Sequence, residues 1–514
     1  MRPRLLLALH AHLPWVRHPE HPRFYEEDWL FEAMEEVYLP LLDVFEGWVT
    51  DGVPARVTVS MSPPLLVMLQ DRLLQSRFRA HLDRRSALWS EEATRARGSA
   101  ERIWALAEGR RIAGVRAGYE RRGGDLPRAF AGLASAGILE LATAAGTHAL
   151  LPAFSAFPRF VESQLSLSRS AFRQAFGDDP STLWLPECGW SGEVEAALRE
   201  AGFEATFLEW SGLAAGRPRP RFGVHRPAAT PGGLMVLARD PGCAQAVWSR
   251  EVGYPGDARY LDFHADETFA RSDEALRPFV LPTGAVVPLG LRYRRVTDRG
   301  CPPERKAPYD PEAARVAAEG HAEHFVQSLL QRLGEAEAEV APVAVAPFDA
   351  ELFGHWWREG PMFLDAVIRR AADRIELVTP RDLLEAREPV EVVAPADGTW
   401  GEGGDARVWI APETAKWWPR LLDAVDALER APPPIDEDER RRLALWAREV
   451  ALAASSDWPF LLRMGTAVDY AERRMEDHLS AAERLASGAP SEAERAAWEA
   501  RGPTLPGVER PFVG

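Results

Sequence analysis

The sequence has only three cysteines in 514 residues, Cys188, Cys243 and Cys301, far apart and without a CxxC pair. That excludes a disulfide framework and a cysteine zinc site, and it points to a cytoplasmic protein. No HExxH occurs, so the helix-borne zinc site of many hydrolases is absent. Basic residues are in deficit, 61 Lys and Arg against 77 Asp and Glu, for a net charge of -16. Phosphate binding needs the opposite balance, so nucleic acid and anionic membranes are excluded as general partners and a neutral or cationic substrate fits better. No run approaches the roughly 18 apolar residues of a membrane span. The opening "MRPRLLLALHAHLPWV" places arginines before leucines as a signal peptide does, but His10 and His12 interrupt it and no small-residue cleavage site follows. It reads as a buried first strand.

Strand-like apolar runs recur at 4–13, 55–62, 137–145, 182–187, 205–210, 233–240, 343–349 and 375–380, with helical sequence between them. Runs apolar on both faces that alternate with helices predict a parallel sheet covered by helices, closed or nearly closed into a TIM-like barrel. Asp310-Pro311 supplies a cap and first-turn proline for a long helix ending in glycine, and 192–202 predicts a crossover helix. Residues 66–131 read as a helical excursion. After about residue 385 a Gly-rich turn, "DGTWGEGGD", leads into Ala-, Glu-, Arg- and Leu-rich sequence with Pro-rich turns at "APPPID" and "RGPTLP". The expected division is a catalytic barrel over 1–390 and a helical C-terminal domain over 391–514.

Tryptophan is abundant, 18 against 8 tyrosines. Its flat apolar faces and single N–H donor suit sugar rings, although most of the eighteen are expected to fill core. In parallel α/β barrels the reacting groups gather at the C-terminal ends of strands. Polar residues that close apolar runs are therefore candidates: His10, His12, His148, Glu187 and Asp349. His10 and His12 are two apart and face one side of a strand. They suit a metal, with Asp349 or Glu187 completing the set, or hydrogen bonds to a substrate hydroxyl. Glu187 and Asp349 form the strongest pair, since retaining glycosidic cleavage needs one carboxylate as nucleophile and one carboxyl as acid, about 5 to 5.5 Å apart. Apolar neighbours raise one pKa of such a pair for the acid role.

Five segments in order, "HAHLP" (10–14), "LELATAAGTHALLP" (139–152), "WLPECGW" (184–190), "PFDAELFGHWW" (347–357) and "SSDWPF" (455–460), resemble the signature regions of glycoside hydrolase family 57. "VWSREVGYPGD" (247–257), "KAPYDPEAA" (306–314) and "TWGEGGDARVW" (399–409) are similar to its α-1,4-glucan branching subgroup. The resemblance implies a distorted (β/α)7 barrel with helical insertions, an all-α C-terminal domain completing the cleft, and a retaining double displacement on α-glucan with no metal or other cofactor. It implies Glu187 as nucleophile and Asp349 as general acid/base. It further implies His10, His12 and His148 around the cleaved sugar, Trp248, Trp357, Trp400 and Trp409 as aromatic walls, and Asp457 packing against the cleft. A monomer is expected.

One departure bears on the outcome. Typical members of the subgroup carry a longer loop with a tyrosine after the nucleophile strand, whereas residues 209–226 contain none and end in the short basic tip "GRPRPRFG". The expected activity is branching. The alternatives are an amylase-like hydrolase favoured by the shorter loop, a glucan-binding protein without turnover, and a metal-dependent deacetylase on a related barrel.

Overall fold

The computed structural model describes every residue except 1, 97, 250, 299, 335–339, 389, 489, 503–504 and 514. Arg250, inside the 247–257 motif, and two residues of the "RGPTLP" turn therefore lie outside the described residues. Among the described residues ten strands occur: β1 (Arg4–Ala11), β2 (Val57–Met61), β3 (Leu139–Ala144), β4 (Thr182–Trp184), β5 (Ala205–Leu208), β6 (Ala228–Ala229), β7 (Met235–Ala238), β8 (Val343–Asp349), β9 (Glu376–Leu377) and β10 (Glu391–Val392). They form one sheet in the order β10-β6-β7-β5-β4-β3-β2-β1-β8, with β9 also on β1. β7 reaches β8 through a parallel bridge between Arg239 and Val345, with the Asp240 N–H donating to the Val345 carbonyl at 2.7 Å. Seven parallel strands thus ring the core, joined along one seam by a single bridge. This is the parallel barrel predicted by the alternating apolar runs, with the seven strands that the family resemblance implies. β6, antiparallel to β7, and β10 beside β6 lie outside the ring.

The apolar runs explain the strands directly. β1 and β2 are buried along nearly their whole length, as strands covered on both faces must be. Register then builds the site: His10 of β1 stands level with Ser60 of β2 and with Asp349 of β8. Of the eight expected strands, seven are barrel strands, and the run at 375–380 contributes only the two-residue β9.

The excursion is helical, with long helices at Arg72–Arg95 and Ser99–Arg121. The long helix after Asp310 runs Pro311–Gly334, and the Asp310 carboxylate accepts from the backbone N–H groups of Glu312 and Ala313 at 3.0 and 3.2 Å, as its capping role requires. Between the first two α-helical segments lies a π-helical turn, Met34–Tyr38. It presents Glu35 to Arg111 at 2.5 Å and to His81 at 3.0 Å, anchoring the excursion, and it sends Tyr38 toward the barrel end. The turn fits closely against Gly354, where a Cβ would meet the Glu36 carbonyl oxygen at 1.9 Å and φ is 126°. Only glycine fits there.

Beyond residue 418 the structure is helical, at Trp418–Glu429, Glu437–Ala453, Asp457–Met464, Val468–Ala486 and Glu492–Arg501. This region meets the barrel end through a bridge between Ala149 and Ser455 and through the Ser456 N–H, which donates to the His148 carbonyl at 2.9 Å. Among the described residues, no helix is long and apolar enough to cross a membrane.

Candidate active site

Glu187 follows β4 in a tight turn in which it and Cys188 both adopt left-handed backbone, φ 61° and 48°. Non-glycine residues hold that conformation only where their surroundings fix it, and such strain concentrates at functional sites. Here the Glu187 carbonyl accepts from the Trp400 backbone N–H at 2.9 Å. Its carboxylate has two donors, Ser456 Oγ to Oε1 at 2.7 Å and Trp400 Nε1 to Oε2 at 2.9 Å. Burial pushes the carboxyl above its ordinary value, while these two donors favour the charged form and work against that rise.

Asp349 ends β8 and is treated differently. Its carboxyl has no hydrogen-bond partner among the described residues. Burial, followed by the charges of Glu351 and Glu187, holds it well above the usual carboxylate range, with Arg239 opposing. One acid of the pair is therefore equipped to carry charge and the other to keep a proton.

Glu351, two residues on, is 7% exposed. It accepts from the Tyr38 hydroxyl at 2.5 Å and from the His12 backbone N–H at 3.3 Å, and burial pushes it up to about 7. Arg239, closing β7, pairs with Glu209 at 2.5 Å and lies 5.6 Å from the Trp400 ring centre.

The three histidines stack. His12 and His148 have ring centres 3.7 Å apart, and His10 lies flat on Trp184 at 4.5 Å with planes 2° apart. His148 reaches this place from a turn in which its own φ is 67° and in which the N–H groups of Gly146 and Thr147 donate to Ser168 and Gln164, each at 2.8 Å. His10 and His148 pair through their Nε2 atoms at 3.0 Å, and His148 Nδ1 meets Ser456 Oγ at 2.8 Å. Burial, reinforced by neighbouring imidazoles, keeps both well below the ordinary histidine value and therefore neutral. His12 is shifted the other way. Burial lowers it, but the Asp457 carboxylate at 3.0 Å outweighs that and raises it, and Asp457 falls to about 2.

His12, His148 and Asp457 each offer one ligand atom, all within 4.8 Å of one another, which is the metal-type set sought in the sequence with a different membership. Their atoms are engaged with protein: His12 on Asp457 and Ser62, His148 on Ser456 and His10. A cation there would have to displace those bonds. A sugar hydroxyl, able to donate and accept, can share them.

The tryptophans divide. Trp400 is bound to Glu187 as described. Trp248 faces Trp356 at 6.3 Å, and Trp356 is 42% exposed. Trp357, expected as a wall, is 1% exposed and packs against Phe363 and Tyr260 at 4.8 and 5.4 Å. Of the two adjacent rings the exposed one is Trp356, so that is the ring this turn offers to a ligand. Trp409 is likewise buried, clustered with Leu150 and Val408 behind Trp400.

Of the residues expected from sequence, Glu187, Asp349, His10, His12, His148, Asp457 and Trp400 converge on the barrel mouth. Ser456, Tyr38 and Arg239 were missed. Arg239 was findable, because it closes an apolar run as His10 and Asp349 do.

Residues 6–309 match glycosyl hydrolase family 57, and residues 420–501 match the 1,4-alpha-glucan branching enzyme C-terminal family. The 1,4-alpha-glucan branching enzyme of Thermococcus kodakarensis is 29% identical over 523 residues, covering 95% of this chain and 74% of the relative. Among solved structures, the α-amylase AmyC from Thermotoga maritima superposes with a TM-score of 0.87 at 33% identity, over 100% of this chain and 99% of that one. The branching enzyme of Pyrococcus horikoshii superposes with a TM-score of 0.88 at 29% identity, over 100% and 97%. The ordered motifs, the seven-stranded barrel and the match over residues 6–309 agree, and the chain belongs to glycosyl hydrolase family 57.

Proposed function

We propose that this protein is a 1,4-α-glucan branching enzyme that works by a retaining double displacement, as a cytoplasmic monomer. The carrying observation is the inequality of the two acids, Glu187 with two donors and Asp349 with none and two carboxyl neighbours. Glu187 attacks the anomeric carbon while Asp349 gives its proton to the departing glycosidic oxygen. In the second half, the 6-hydroxyl of another glucan gives its proton to Asp349 and takes the chain. His10, His12 and His148 line the sugar that is cleaved, and Trp248 with Trp356 offers an aromatic wall. Branching over hydrolysis then rests on orienting the acceptor, a proximity effect able to outweigh the concentration of water.

A hydrolase is the second reading, and two observations favour it: the similarity to an α-amylase at 33% identity, and the absence of tyrosine from residues 209–226. That loop is tied down, with Arg217 and Ala394 exchanging backbone hydrogen bonds at 2.9 Å. Amylose treated with the protein, followed by reducing-end measurement before and after a debranching enzyme, separates the two. Ends released only by debranching establish transfer. Ends rising from the outset, with no extra release, establish hydrolysis. Activity surviving a strong chelator removes the metal-dependent deacetylase.

A further inference from the structure

We propose that Ser456 is a positioning residue for the breakdown of the glycosyl-enzyme, its hydroxyl proton aimed at Glu187 by a chain of three further hydrogen-bonding groups. The inference rests on reading Glu187 as the nucleophile.

Serine before a helix usually caps it, accepting from the first-turn N–H groups. Ser456 stands immediately before the helix Asp457–Met464, yet its side chain makes no such bond. The hydroxyl is turned instead to Glu187 Oε1 at 2.7 Å, in a residue 2% exposed.

A hydroxyl has one hydrogen, and an ionised Glu187 can only accept. Ser456 therefore donates to Glu187, and His148 Nδ1, at 2.8 Å from the same oxygen, must be the N–H partner. A neutral His148 then has a bare Nε2, which accepts from His10 Nε2–H at 3.0 Å. His10 Nδ1 is bare in turn and accepts from Ser60 at 3.3 Å. Because burial keeps both imidazoles neutral, every proton in the line from Ser60 to Glu187 has one place to be. The backbone holds the same joint, the Ser456 N–H donating to the His148 carbonyl at 2.9 Å.

The effect falls unequally on the two halves of the reaction. In the first, a donor to Glu187 lowers its basicity and hence its nucleophilicity. In the second, the bond from the anomeric carbon to Glu187 breaks and its electron pair returns to the carboxylate. The acceptor's oxygen bonds to that carbon and the acceptor's proton goes to Asp349. The charge reappearing on Glu187 is met by Ser456 and by Trp400. Loss of a donor to a charged group therefore slows the second half, by about tenfold or more. Transfer and hydrolysis share this leaving group, so their ratio does not change.

The test is Ser456→Ala on the full chain with amylose. The expected result is a fall in kcat of about tenfold or more with kcat/KM within about threefold, a parallel fall in apparent KM, and a glycosyl adduct in acid-quenched intact-mass spectra. Ser456→Thr, which keeps the hydroxyl, is expected to restore wild-type values. Ser456→Cys, similar in volume and a poor donor, is expected to follow the alanine variant and serves if that variant does not fold. Unchanged kcat, or kcat and kcat/KM falling together without an adduct, overturns the proposal. A fluorinated glycosyl fluoride that traps the wild-type intermediate separates the two layers. Failure to label Glu187 overturns its reading as nucleophile, whereas labelled Glu187 with an unaltered Ser456→Ala overturns only the role of Ser456.

Discussion

Glu187 and Asp349 occupy equivalent places, each at the mouth end of a barrel strand, and the molecule surrounds them in opposite ways. Glu187 is reached by parts distant in the chain, Ser456 from the helical region and Trp400 from the Gly-rich turn, and both bring hydrogens. Asp349 is reached by burial and by other carboxyls, with Arg239 opposing, and none of the described residues donates to it. Two acids of similar intrinsic strength are separated by their neighbours alone, an inequality that suits the proposed nucleophile and acid. The barrel places the pair, and the segments beyond it assign the roles.

The comparison breaks hardest at Glu187. Glu187→Gln is expected to lower turnover by at least about 10⁴-fold while calorimetry still detects glucan binding, because an amide keeps the side chain's size and one acceptor oxygen but cannot form the ester. Near-normal activity would remove the nucleophile assignment. Asp349→Asn is expected to cost about 10² to 10⁴-fold on amylose. Part of that loss should return with an α-glycosyl fluoride, whose leaving group needs little protonation. A loss equal on both substrates would leave Asp349 without its acid role. Trp400→Phe keeps the aromatic face and the backbone bond but removes the Nε1 donor. It should lower kcat about tenfold through the same half-reaction as Ser456, and steady-state kinetics with the mass measurement above check it.

The barrel was legible because its strands are buried on both faces, so they appear as mainly apolar runs, and because a polar residue closes several of those runs. That rule placed His10, Glu187 and Asp349 correctly, and it covers Arg239 as well. β6 and β10 escaped it, since two-residue strands have no pattern to read. The π-helical turn escaped because its residues are ordinary helix formers, and its register is imposed by the close fit to Gly354. Ser456 lies in a quoted motif beside Asp457, but its partner is 269 residues away and only the fold brings them together. The tryptophans show the remaining limit. Trp356 and Trp357 are adjacent in a turn, where no strand period says which ring faces the ligand.

Glu351 offers the mildest and sharpest probe of the comparison. Burial brings it to about 7, so it gains charge across neutral pH, beside an acid that must keep its proton. Its negative charge raises Asp349, which keeps Asp349 protonated to higher pH and extends the alkaline limb of the activity profile. Glu351→Gln retains an oxygen for the Tyr38 hydroxyl and the His12 N–H but never ionises. The alkaline limb of kcat/KM should then move to lower pH, while the acid limb, set by Glu187, stays in place and the maximal rate changes by no more than about threefold. If both limbs move together, the substitution has disturbed the site as a whole. If neither moves, burial alone holds the proton on Asp349, and the contrast with Glu187 rests on the two donors without the neighbouring carboxyl.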